Sequence, residues 1–166
     1  MDMLEMVIYG VSFDMVGKQP IVLLKTLAGN RFLPIWIGHP EAAAILMRLQ
    51  DARPPRPATH DLLCSALEEL GAEITQVAIT DLRENTFFAQ VTVSSGIEEH
   101  HLDSRPSDAL ALAVRAEAPI FAAESIVMES GIEFEQNDVG DTDEMVDKFR
   151  SFLEDVSPDD FLSQGN

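Results

Sequence analysis

The sequence predicts an α+β fold: one compact domain in which a strand–strand–strand–helix unit occurs twice, giving a mostly antiparallel or barrel-like sheet with packed helices. Three observations carry this. Runs of β-branched and aromatic residues come in triplets, each triplet is followed by an apolar run opened by a proline, and the two sets align without a gap at an offset of 66 residues. The identities are Ile8 with Ile74, Val11 with Val77, Thr26 with Thr92, Pro40 with Pro106, Ala43 with Ala109 and Leu46 with Leu112. Chance would give roughly two or three such matches at ordinary residue frequencies.

In chain order, MVIYGVSFDM, QPIVLLKTLAGN and RFLPIWIG have the composition of strands, and HPEAAAILMRLQ turns helical. The stretch ARPPRPA is a stiff link. A helix over 59–70 follows it, with Thr59 as N-cap, Gly71 just past the end, and Leu62, Leu63, Ala66, Leu67 and Leu70 as its apolar stripe. The second unit repeats the order: AEITQVAITDLRE, NTFFAQVTVSSG and IEEHHLDS as strands, then RPSDALALAVRAE as a helix. The turn signals GK and EN fall between corresponding strands. These units occupy about residues 5–50 and 72–117 of a domain expected to span 1–135.

Beyond them, PIFAAESIVME has the composition of a strand. Residues 136–166 form an acidic helical extension, in which Asp141 and Glu144 are spaced as a capping pair. Its apolar face holds Met145, Val146, Phe149, Phe152, Leu153 and Val156.

A chain of 166 residues and 18.3 kDa can bury a sizeable core without disulfides or metal staples. The lone Cys64 cannot close an internal disulfide, and the opening MDMLEMVIYG is acidic where a secretory leader is basic, so a cytoplasmic protein is expected. No run approaches the length of about 20 apolar residues that spans a bilayer, so no membrane association is expected. The net charge of -18 repels phosphate backbones and anionic lipid alike. Part of it is local, since residues 133–166 are acid-rich and offer only Lys148 and Arg150 as bases.

The two proline-led helices raise the chemical question. Proline suits the first helical turn because its φ is preset and its missing N–H is not needed there. Glu41 and Asp108 follow in the first turn, where a carboxylate offsets the positive end of the helix dipole. Helix initiation therefore accounts for Pro106, Ser107 and Asp108, but not for Arg105. A guanidinium beside a helix N-terminus is an anion receptor in waiting, and with Asp108 so close an internal ion pair is equally open.

His60 and Asp61, at the start of the linking helix, combine a near-neutral base with a carboxylate. His100 and His101 alternate faces on a strand, so one at most can reach any shared site. Cys64 lies on the apolar side of its helix, which suits inert burial. No CxxC pair, HExxH, P-loop or GxSxG occurs.

The segments LPIWIGHPEAAAI (33–45), RPATHDLL (56–63), TFFAQVTV (86–93) and SRPSDALALAVRAEAPIF (104–121) resemble, in this order, the bifunctional nuclease domain family of bacteria and plants. The resemblance covers about residues 5–130 and implies a compact α+β domain with hydrolysis of DNA and RNA. Its motif positions fall here on Glu41, His60, Asp61, Arg105, Ser107 and Asp108.

A metal-dependent phosphodiesterase is then expected to hold Mg²⁺ or Mn²⁺ on Asp61 and Asp108 and to activate water with Glu41 or His60. Arg105 and Ser107 would meet the phosphate of single-stranded DNA or RNA. The alternative is a non-enzymatic regulatory module whose acidic C-terminal helix engages a protein partner. Convergence of these residues on one solvent-open site separates the two. IVLLKTL is expected as an apolar edge strand beside Trp36, and the apolar face of the C-terminal helix is expected to pack on its own sheet or on another subunit; a homo-oligomer, most simply a two-fold dimer, is expected, with a closed monomer, in which the duplicate unit closes the sheet, as the alternative.

Overall fold

The computed structural model describes residues 2–12 and 19–153, with side chains as far as Phe149. Among these, β1 (Met3–Ser12), β2 (Ile21–Thr26), β3 (Arg31–Trp36) and α1 (His39–Leu49) form the first unit. After α2 (Thr59–Glu69), the second comprises β4 (Ala72–Arg83), β5 (Thr86–Ser95), β6 (Glu98–Ser104) and α3 (Pro106–Ala116). Then come β7 (Ile120–Ala123), α4 (Glu124–Ser130), β8 (Ile132–Glu133), a 3₁₀ turn at Gln136–Asp138 and α5 (Thr142–Leu153). The strand–strand–strand–helix order occurs twice, as expected.

The strands build one mixed sheet in the order β6-β5-β4-β7-β1-β2-β3-β8. Only the β4–β7 pair is parallel among the described residues. The two outer strands, β6 and β8, are not paired to each other, so the sheet is open and the barrel-like alternative does not hold.

The offset of 66 survives in the first strand of each unit: β1 bulges between Ile8 and Gly10, β4 between Ile74 and Gln76. It fails in the second. Ile8 faces Leu24, whereas Ile74 faces Val93, so Thr26 and Thr92 hold different places despite their identity. Glu84 and Asn85, both at positive φ, close the β4–β5 hairpin at the EN signal. The GK signal, the end of the first expected strand and Val156 lie outside the described residues, as do the side chains of Phe152 and Leu153.

The main core lies between one sheet face and the helices. Val22, Leu24, Leu33, Ile35, Val77, Ile79, Val91 and Val93 meet Ala42 and Ile45 of α1 and Leu110, Ala111 and Ala113 of α3. Helix α3 packs against α1, α2, β4 and β5, and this wide burial is why its sequence is apolar nearly all round. On the opposite face Ile21, Leu23 and Phe32 are covered by Met145, Val146 and Phe149 of α5. The N–H of Glu144 donates to Asp141 Oδ1 at 2.9 Å, one half of the expected capping pair.

Four expectations need correction. The segment PIFAAESIVME is a strand only over Ile120–Ala123; it then turns into α4, which buries Ile126 and Val127. Their β-branched side chains misled the propensity. IVLLKTL is not an edge, because β2 lies between β1 and β3 and buries Ile21–Leu24 on both faces. Of the two coverings open to the apolar face of α5, its own sheet is the one found.

Helix α2 is rotated from its expected pose. Cys64 and Leu67 pack against the core, while Leu62, Leu63 and Leu70 are 61%, 44% and 80% exposed. Thr59 is its first helical residue; the capping bond runs from the Ala58 N–H to Asp61 Oδ2, at 2.9 Å.

Candidate functional site

Three helices begin next to one another. Glu41 lies in the first turn of α1, His60 and Asp61 in the first turn of α2, and Arg105 is the N-cap residue of α3 with Asp108 in the turn that follows. Arg105 joins α3 to α1 by donating from Nη2 to Glu41 Oε1 at 2.9 Å, and it donates from Nε to Asp108 Oδ2 at 2.8 Å. The other oxygen of Asp108 lies 2.9 Å from His60 Nε2 on α2. Glu41, Arg105, Asp108 and His60 thus form one continuous chain of charge-assisted contacts across three helix N-termini.

The local sequence explains the placement. Gly38 ends the strand-to-helix connection before α1, and a Cβ there would run into Glu41 Oε2, so the missing side chain gives the carboxylate its room. Pro40 and Pro106 start their helices at matching points, which puts Glu41 and Arg105 side by side. His60, Cys64 and Leu67 share one face of α2 at helical spacing; this face turns inward and carries the imidazole toward Asp108.

Asp61 does not join this chain. Its Oδ1 takes a hydrogen bond from Arg115 Nε at 2.7 Å, and its Oδ2 takes the Ala58 N–H. The Arg115 side chain is only 6% exposed. It also donates to the carbonyls of Ala111, at 2.8 Å, and Ala44, at 3.1 Å, so a second ionic junction ties α1, α2 and α3 together. Arg115 was not singled out from the sequence, although its spacing of seven from Asp108 puts both on one side of α3.

Burial pushes the Asp108 carboxyl upward, but the hydrogen bonds from His60 and Arg105 and their charge outweigh it and hold the group below the usual carboxylate range. Burial likewise opposes ionisation of Asp61, and the Ala58 N–H and Arg115 overcome it. Hydrogen bonds to Asp108 and then Glu41 raise Arg105 further above its ordinary value. Burial raises the Cys64 thiol. That thiol lines a cavity of about 440 Å³ with Leu67, Ile74 and Arg115.

Solvent reaches the network mainly through Arg105, whose side chain is 65% exposed against 16% for Glu41, 13% for His60 and 30% for Asp108. Ser107 is only 6% exposed and offers little surface to a phosphate. Asp61 and Asp108 each spend both oxygens on different protein partners. Among the described residues no group of three or more His, Cys, Asp and Glu side chains is arranged to hold a metal ion. The Asp61–Asp108 pair therefore does not fit Mg²⁺ or Mn²⁺ as the side chains stand.

Comparison with known proteins adds a lineage to this geometry. An uncharacterized protein of Mycobacterium tuberculosis is 40% identical over 162 residues, covering 95% of this chain and 97% of that protein. Bifunctional nuclease 1 of Oryza sativa subsp. indica is 27% identical over 126 residues, or 74% of this chain and 38% of the rice protein. Bifunctional nuclease 1 of Arabidopsis thaliana is 27% identical over 108 residues, or 63% and 33%. No helix among the described residues is long and apolar enough to cross a membrane.

The family model of the bifunctional nuclease domain matches residues 22–135. That span takes in α1, α2 and α3, and with them both ionic junctions. The chain belongs to the bifunctional nuclease domain family.

Proposed function

We propose that the network of Glu41, Arg105, Asp108 and His60 handles a phosphodiester, and that the chain hydrolyses single-stranded DNA and RNA. One observation carries this reading: an exposed guanidinium stands where three helix N-termini meet, so fixed donors and dipoles of one sign point at the same small region. The plant relatives' name, bifunctional nuclease, supports a nucleic-acid substrate.

On this reading Arg105 trades a carboxylate for a phosphate oxygen and stabilises charge that develops on phosphorus. Asp108 accepts the His60 Nε2–H, which leaves the imidazole lone pair on Nδ1 and makes His60 a base at that atom. The attacking water loses its proton there, and the departing oxygen is reprotonated from solvent. Glu41 holds Arg105 in place between substrates. No step is assigned to a metal ion.

The test is cleavage of labelled single strands by purified wild type, Asp108→Asn and His60→Gln, each with EDTA, Mg²⁺ or Mn²⁺. Losses of about 10²-fold or more in both variants are expected. Equal cleavage by wild type and variants would mean a contaminating nuclease, and no cleavage under any condition ends the reading.

The same network also favours a second reading, because every acid in it is already paired and the chain carries a net charge of -18. A non-catalytic module would then offer its acidic outer surface, including Asp143 and Glu144 of α5, to a basic protein partner. Charge reversal of the exposed Asp143 and Glu144, which leaves the apolar face of α5 on its core, separates the readings: loss of partner capture by a chain that cleaves nothing supports the module, and cleavage that survives the reversal supports the nuclease.

A further inference from the structure

We propose that α2 is the contact helix of a homodimer, pairing antiparallel with α2 of a second copy about a two-fold axis near Ala66. The inference is independent of any nuclease activity. Leu62, Ala66 and Leu70 recur every four residues along the outer face of α2, with Leu63 beside them. All four are exposed, and Leu62 and Leu70 rank high among the exposed large apolar residues, at 61% and 80%. Among the described residues the core does not use this stripe, since Cys64 and Leu67 supply the inward contacts.

The spacing is self-complementary. In an antiparallel pair centred on Ala66, Leu62 meets the partner's Leu70, Leu70 meets the partner's Leu62, and the small Ala66 meets its own copy where the helices cross. This is the isologous pattern that a two-fold axis requires. A small residue at the crossing lets helix axes approach to about 8–10 Å.

Charge selects a second copy over an unrelated helix. The segment before α2 carries exposed Arg56, with Arg53 paired to Asp51 at 3.8 Å, whereas its end and the start of β4 carry exposed Glu68, Glu69 and Glu73. Antiparallel pairing places the basic approach of one copy against the acidic exit of the other, twice, and opposes the two helix dipoles. Parallel pairing would stack the acids. The whole chain still repels its copy through its charge of -18, so association should strengthen as salt rises toward about 0.15 M and screens the longer-ranged repulsion.

Sedimentation velocity of the full chain, from low to high micromolar, tests this. A mass of twice 18.3 kDa is expected for wild type. Leu62→Glu and Leu70→Glu should each weaken the dimer by roughly thirtyfold or more, as expected for an apolar anchor, with unchanged circular dichroism showing that the exposed sites leave the fold intact. Arg56→Glu, and Glu69→Lys combined with Glu73→Lys, should each be monomeric alone and associate when mixed. A monomer throughout overturns the proposal and leaves the stripe to a different protein's helix; a dimer indifferent to both leucine variants overturns it as well.

Discussion

Asp61 Oδ1 lies 2.7 Å from Arg115 Nε, and that guanidinium also holds carbonyls of α1 and α3 from a nearly sealed position. An arginine so enclosed, with named acceptors on three helices, is a structural fastener. Truncation to Arg115→Ala should cost about 3–5 kcal/mol, because Asp61 Oδ1 loses its charged partner and two carbonyls lose a second donor at once. Arg115→Lys should recover little of this, since one ammonium cannot reproduce the planar fork. Urea unfolding of both variants measures it.

Acid should unfold the protein through the same helix ends. Asp61 and Asp108 both have folded pKa values held below the ordinary value. Depressed carboxyls contribute stability that is fully present above the unfolded pKa of about 3.9 and is lost as pH falls through the folded pKa. Urea midpoints should therefore fall between about pH 5 and pH 3, and Asp108→Asn should flatten that dependence. An unchanged slope in the variant would remove Asp108 from the cause.

Arg105 should separate stability from activity. With 65% of its side chain in solvent, its two ion pairs should add at most about 1 kcal/mol. Arg105→Lys should melt within a few degrees of wild type yet lose most nucleic-acid cleavage, because a point charge cannot keep Asp108 on one arm while the other exchanges Glu41 for a phosphate. Parallel melting and cleavage assays decide it.

Gly38 should matter through Glu41. Its φ of -72° suits any residue, so Gly38→Ala carries no backbone strain, but the new methyl would displace the Glu41 carboxylate. Stability should change by less than about 1 kcal/mol, while the Glu41–Arg105 pair loosens and cleavage falls. Combining Gly38→Ala with Glu41→Gln should give no further loss if the effect runs through that carboxylate.

Much of this was legible in the sequence because local rules and the tertiary arrangement agree. Prolines at matching points marked the starts of α1 and α3, and their first-turn acids marked Glu41 and Asp108. That Glu41, His60, Arg105 and Asp108 belong together came from motif positions, since no spacing along the chain reports proximity between three helices. The pose of α2 was illegible because its apolar content is larger than the face it buries: the pairs formed by His60 and Asp61 turn the polar edge inward and leave three leucines outside. β2 read as an edge because a strand covered on both faces lacks alternation, which is the same signature that an unprotected apolar strand gives.

Strand β7 has a consequence for how the chain reaches its fold. Its four residues are the only strand linking the two halves of the sheet among the described residues, antiparallel to β1 on one side and parallel to β4 on the other. During synthesis, β1 and β4 are made long before Ile120–Ala123 emerges, so both have open hydrogen-bonding edges until that strand arrives. Each hairpin can form early from local contacts, but joining them closes a loop from Met3 to Ala123 and should govern the folding rate. A chain stalled before β7 would present two unpaired strand edges at once and would be the species most exposed to aggregation.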